Sequence, residues 1–130
     1  MTPASVAALS LTIIYVFVAL FQLALALGAP MGEYAFGGQN HGKLPAGFRV
    51  ASSASVLVNL AIAGHFLAQT GFINTLLPAE LNTLANWGLV AFAAVGLLLN
   101  TITRSKAEKK MWAPVTALIL VLSVIVAVAV

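Results

Sequence analysis

Four apolar runs, about Val6–Leu27, Val50–Gln69, Leu84–Thr103 and Met111–Val130, divide this chain, and its polar residues gather in the segments between them. Each run matches the length, about 20 apolar residues, that a helix needs to cross a hydrocarbon core about 30 Å thick. The runs predict an all-α fold, a four-helix transmembrane up-down bundle. One long and two short connections make antiparallel neighbours the simplest arrangement. Residues 1–130 read as a single integral membrane domain, with no segment left over for a soluble domain of useful size.

Proline and glycine punctuate the runs. Pro3, Pro45, Pro78 and Pro114 stand where helices are expected to begin, since the first helical position has no use for an N–H. Pro30 follows Gly28 and ends the first helix. Six of the ten glycines fall between Gly28 and Gly47, too many for a stable helix, so this stretch predicts an ordered or partly ordered loop. The second connection, about Thr70–Asn82, reads as a turn at Gly71-Phe72-Ile73-Asn74 followed by a helix start at Pro78-Ala79-Glu80. Glu80 then lies in the first turn, where the helix dipole favours a carboxylate. Trp87 and Trp112 are expected at the outer and inner membrane interfaces.

Charge adds a direction. Lys43 and Arg49 flank the first loop, while Arg104, Lys106, Lys109 and Lys110 sit between the third and fourth runs. The N-terminal tail, the second connection and the C-terminus carry no Lys or Arg. Basic residues in short loops stay cytoplasmic, which predicts a Gly-rich cytoplasmic loop between helices one and two and both termini outside. The expected location is a cell (inner) membrane. With 62% hydrophobic and 7% charged residues and a mean hydropathy of +1.06, the chain lies far from the about 25% charge of soluble domains. Its net charge of +3 therefore points to anionic lipid headgroups, not to nucleic acid. Ala24-Leu25-Ala26 has the small-residue spacing of a signal cleavage site. The uncharged tail Met1–Ser5 and the long first run instead predict an uncleaved span. Cysteine is absent, which removes disulfide and thiolate chemistry.

Candidate chemistry is sparse. Gly37-Gly38-Gln39-Asn40-His41-Gly42-Lys43 fits seven positions of a phosphate-binding loop, but Leu44 stands where Ser or Thr must reach magnesium, and no strand precedes it. Arg49, at the start of the second helix, is unfavourable for the dipole and calls for a partner, either Glu33 or a lipid phosphate. As structure, that pair staples the loop; as function, Glu33, Gln39, His41 and Arg49 form a polar pocket facing the cytoplasm. His65 is the ionisable side chain well inside a run, and such residues are functional candidates. Hairpin geometry predicts a His65–Glu80 pair on the outer side; the plainer reading bonds His65 to a helix-three group. Gln22, Asn59 and Asn100 are expected to hydrogen-bond across the bundle. His41 and His65 fall on opposite sides, so neither a metal site nor a cofactor is expected. Serine, histidine and acid are not spaced as a triad.

Gly28-Ala29-Pro30-Met31-Gly32-Glu33, with Gly37-Gly38-Gln39, Leu44-Pro45, Arg49, Asn100, Arg104-Ser105, Glu108 and Trp112-Ala113-Pro114, resembles a small bacterial four-span membrane protein family of unknown function. The resemblance implies fold and location and brings no activity. The length is also similar to that of small multidrug transporters, but those need a carboxylate in the first span, where this chain has Gln22. The sequence thus favours a non-enzymatic accessory or assembly subunit, acting as a homo-oligomer or with a partner membrane protein. The alternatives are a small transporter or channel and a membrane enzyme acting on a lipid headgroup at the glycine loop.

Overall fold

The computed structural model describes residues Met1–Val130. It contains four long helices, α1 (Pro3–Ala26), α2 (Ala46–Leu67), α3 (Ala79–Ile102) and α4 (Lys106–Val128), each long and apolar enough to cross a membrane. This is the architecture of a multi-pass membrane helix bundle.

The helices begin about one turn before the apolar runs, because caps rather than apolar content set their starts. Thr2 caps α1, its Oγ accepting the Ser5 N–H at 3.0 Å, with Pro3 leading the first turn. Pro45 and Pro78 immediately precede α2 and α3. Ser105 caps α4 by accepting the Glu108 N–H at 3.1 Å. Pro114 is the exception to the expected pattern and lies inside α4. Because Ser105 starts the helix earlier, the ring removes only the bond to the Lys110 carbonyl, near the polar end. At the other end of α1, Gly28 takes φ +97° and lets the Ala29 N–H return to the Ala24 carbonyl at 2.9 Å, a closing turn that an L side chain resists.

Packing is uneven around the bundle. α1 lies along α2, α3 along α4, and α1 against α4, whereas α2 and α3 do not pack along their lengths. The main core gathers Ala7, Ala8, Leu11 and Tyr15 of α1 with Ala63 and Phe66 of α2, Ala93 of α3, and Ile119 and Val126 of α4. The start of α1 therefore lies beside the end of α2. The α1–α2 loop and the α3–α4 turn share the opposite end, which is called the basic end below. Alanines at the α1–α2 contact allow close backbone approach, the main source of helix association where lipid is as apolar as the side chains. Only 24 of 130 residues are buried, and large apolar side chains such as Phe17, Leu57, Leu98 and Val121 point outward. A surface of that kind suits hydrocarbon as its solvent.

Unfolded helices remain in lipid, so shortening a buried side chain loses mainly its packing. Leu11→Ala, at a position with no exposure, is expected to lower stability by about 2 kcal/mol, the cavity part of the usual loss. Phe17→Ala, 68% exposed to the surroundings, should change it far less. Reversible unfolding in a bilayer mimic measures both, and equal losses would contradict this core assignment.

Candidate interhelical binding site

The glycine loop folds back onto the start of α4. Two short 3-10 turns, Gly32–Tyr34 and Phe36–Gly38, present their backbone to it. The Ser105 hydroxyl donates to the Glu33 carbonyl at 2.6 Å, while its oxygen caps the helix. The Gly37 N–H donates to Glu108 Oε2 at 3.1 Å, and the Trp112 indole N–H donates to the Tyr34 carbonyl at 2.9 Å. Trp112 packs edge-on to Phe21 at 4.9 Å, and Phe36 tilts against Phe48 at 4.9 Å. Leu25, Ala35 and Leu44 close a small apolar core beneath. Trp112 is thus a latch on the loop. Gly38, at φ +70°, lies so close to Ser105 that a Cβ there would clash with its side chain. Gly32 is similarly confined by the Asn40 and Gly42 carbonyls, and its N–H donates to the latter at 2.8 Å.

Beneath this lid lies a cavity of about 300 Å³. All four helices line it, and Tyr34, Ala35 and Phe36 of the loop roof it. Gln22, Asn59 and Asn100, on three different helices, converge on it. They do not hydrogen-bond to one another as expected: the Asn59 amide donates to the Ser55 carbonyl of its own helix at 2.8 Å. Gln22 Oε1 is buried with no partner. Glu108, only 7% exposed, also lines the cavity, as do Tyr15, Phe21, Phe92 and Trp112. No lysine or arginine does. Phe92 touches the cavity yet is 52% exposed, which marks the unpacked α2–α3 side as its mouth.

At the far end, α2 and α3 are joined by side chains. Gln69 and Asn86 exchange amide bonds, Gln69 Nε2 donating to Asn86 Oδ1 at 2.9 Å and Asn86 Nδ2 donating to Gln69 Oε1 at 2.7 Å. Asn82 Nδ2 donates to the same Gln69 oxygen at 3.1 Å. His65 Nε2 lies 2.8 Å from Asn86 Oδ1. That oxygen only accepts, so Nε2 carries the proton, and its 3.1 Å approach to the Gln69 NH₂ is a contact between two donors and not a bond. His65 therefore pairs with Asn86, and the expected His65–Glu80 pair does not form; Asn86, a turn and a half further along α3, reaches it first.

The other expected pair also separates. Arg49 Nε donates to the Ala26 carbonyl at 3.0 Å, so its charge faces the negative end of the α1 dipole and offsets the unfavourable start of α2. Glu33 instead lies 3.7 Å from His41 Nδ1, with His41 exposed and Glu33 partly so. Glu33, Gln39 and His41 do share one hollow at the basic end, but Arg104, Ser105 and Lys106 complete it in place of Arg49. No three His, Asp or Glu side chains converge anywhere in the fold. Sequence reasoning passed over Gln69, Asn82 and Asn86. Their signal was present as polar pairs four residues apart, His65–Gln69 and Asn82–Asn86, on two neighbouring helices. Glu108 was assigned no role because it resembles an ordinary first-turn acid.

No family model, curated protein or solved structure matches this chain, so the site is read from its own geometry.

Gly38→Ala is expected to unlatch the loop, since it combines a clash at Ser105 with a positive φ. Gly37→Ala meets no neighbour and carries only the backbone strain, about 1 kcal/mol. Trp112 emission, read in a Trp87→Phe background, should shift to the red in the first variant and barely move in the second. The same emission in both would show that the loop is not held there.

Proposed function

We propose that this chain is a non-enzymatic accessory subunit of a cell membrane, whose own contribution is to hold a small membrane-soluble molecule between its helices. The observation that carries this reading is the interhelical cavity into which Gln22, Asn59 and Asn100 converge without bonding to each other. Buried polar groups ordinarily find partners, and a cavity lined by aromatic rings with a few convergent polar groups is the usual form of a ligand site. At about 300 Å³ it is at the lower end of such sites, which run to about 1,000 Å³.

Transport as a homo-oligomer is the second reading, favoured by the mouth beside Phe92. A continuous path would have to pass the buried Ala8, Leu11 and Phe66, and His65 sits beyond them in a closed network. That arrangement supports holding over conduction. The reading as a headgroup enzyme loses its Glu33–Arg49 pair, since each has a different partner.

The proposal includes an orientation with both basic connections in the cytoplasm and both termini outside, in a bacterial inner membrane with anionic headgroups beside Lys106, Lys109 and Lys110. The natural absence of cysteine makes this simple to test. A single cysteine at exposed Gly37 should resist a membrane-impermeant thiol reagent in intact cells, and one at Thr2 should react. The reverse pattern would invert the topology.

The ligand is tested by gentle release of the protein and mass spectrometry of what comes with it. Gly96 lines the cavity, and a Cβ there meets nothing closer than 3.7 Å, so Gly96→Leu can fill the space. A small molecule bound to the wild type and absent from Gly96→Leu is the expected result. Identical extracts from both proteins would remove the holding function.

A further inference from the structure

We propose that the molecule held in this cavity is an organic cation of one- or two-ring size, with Glu108 as its counter-charge. The inference rests on the holding function above and specifies its ligand. Three features of the lining lead to it. The first is the carboxyl group: Glu108 is the one acid on the wall, and no lysine or arginine shares the space. Its place in the first turn of α4 and the Gly37 N–H on Oε2 fix where the carboxyl group stands. Oε2 is taken by the loop, and no hydrogen bond is made to Oε1. Oε1 is thus the carboxyl atom left for a guest.

The second feature is the rings. Tyr15, Phe21, Phe92 and Trp112 surround the space from three helices, with Tyr34 and Phe36 above. Aromatic faces attract a cation, most strongly when it is desolvated, and several rings around one pocket are the known answer to a quaternary ammonium group. The third is the orphan Gln22 Oε1, an acceptor that welcomes an N–H or a polarised C–H of such a guest. An anionic guest would meet Glu108 with like charge and find no basic side chain on the wall. Arg104 and Lys109 lie outside this lining, exposed at the basic end, where Arg104 shares a separate outer hollow with Glu108. The open α2–α3 side beside Phe92 lets a membrane-partitioned amphiphile enter with its tail still in lipid.

The experiment uses the full chain in nanodiscs of zwitterionic phosphatidylcholine, so that anionic lipid does not compete for the cation. Trp87→Phe leaves Trp112, on the cavity wall, as the single indole reporter. Two probes of the same shape are titrated: phenyltrimethylammonium, and tert-butylbenzene, which lacks the charge. Saturable binding of the cation, tighter than the hydrocarbon, is expected. Glu108→Gln keeps an acceptor for the Gly37 N–H while removing the charge. It should weaken the cation by at least about tenfold, as the loss of one charge-assisted contact implies, and leave the hydrocarbon unchanged. Should Glu108→Gln fail to fold, Phe92→Leu at the exposed mouth serves instead, with a several-fold loss for the cation alone expected from a lost cation–ring contact.

Equal binding of the two probes, or a cation affinity indifferent to Glu108→Gln, would overturn the cation assignment while leaving the holding function standing. If neither probe binds but the Gly96→Leu comparison yields a neutral or anionic molecule, the cation assignment falls alone. If neither probe binds and the two extracts are identical, both readings fall together.

Discussion

The docking of the glycine loop onto α4 depends on Ser105. Its oxygen starts α4 by accepting the Glu108 N–H, and its hydrogen goes to the Glu33 carbonyl. One hydroxyl therefore links a helix start to a glycine loop 72 residues away in sequence. The position of Glu108 follows from it, since the cap fixes the first turn, and Glu108 then fixes Gly37. Trp112, one turn on, is brought under Tyr34, and the cavity acquires its roof. The loop covers a small apolar core of Leu25, Ala35 and Leu44, and directed hydrogen bonds fix how it sits there.

The same logic explains why the bundle is open on one side. Three helix contacts use small side chains and close packing, and the fourth, α2 against α3, is replaced by an amide and imidazole cluster at one end. Interhelical hydrogen bonds in membranes contribute about 0.6 kcal/mol on average, up to about 1.7. A cluster of four side chains can therefore secure one end of two helices without drawing their whole lengths together. The space left toward the basic end is the cavity. Gln22, Asn59 and Asn100 line that space and do not bond to one another across it.

The helices were legible in the sequence because lipid imposes one rule, a run of about 20 apolar residues, that few local effects override. Their starts were less so, since Pro45, Pro78 and Ser105 act through caps outside the apolar runs. Pro114 misled because a proline beside an apolar run looks like a helix start when the true cap, Ser105, lies among charged residues. Of the candidate residues, Gln22, Asn59 and Asn100 do share one region, while His65–Glu80 and Glu33–Arg49 part. Each of those pairs was inferred from proximity to the same membrane face. Proximity of that kind fixes depth and leaves the angle around each helix open, and the angle turns His65 to Asn86 and Arg49 to the Ala26 carbonyl. Glu108 stayed hidden because a first-turn acid has an ordinary role in solvent, and only the folded loop removes it from water.

The cluster of His65, Gln69, Asn82 and Asn86 has a mechanical consequence. It ties α2 and α3 near one end, and the mouth beside Phe92 lies further along the same two helices. Two rods joined near one tip and held apart further along leave a wedge between them. The outer contacts, α1 on α2 and α4 on α3, set how wide that wedge is, and the polar cluster sets where it begins.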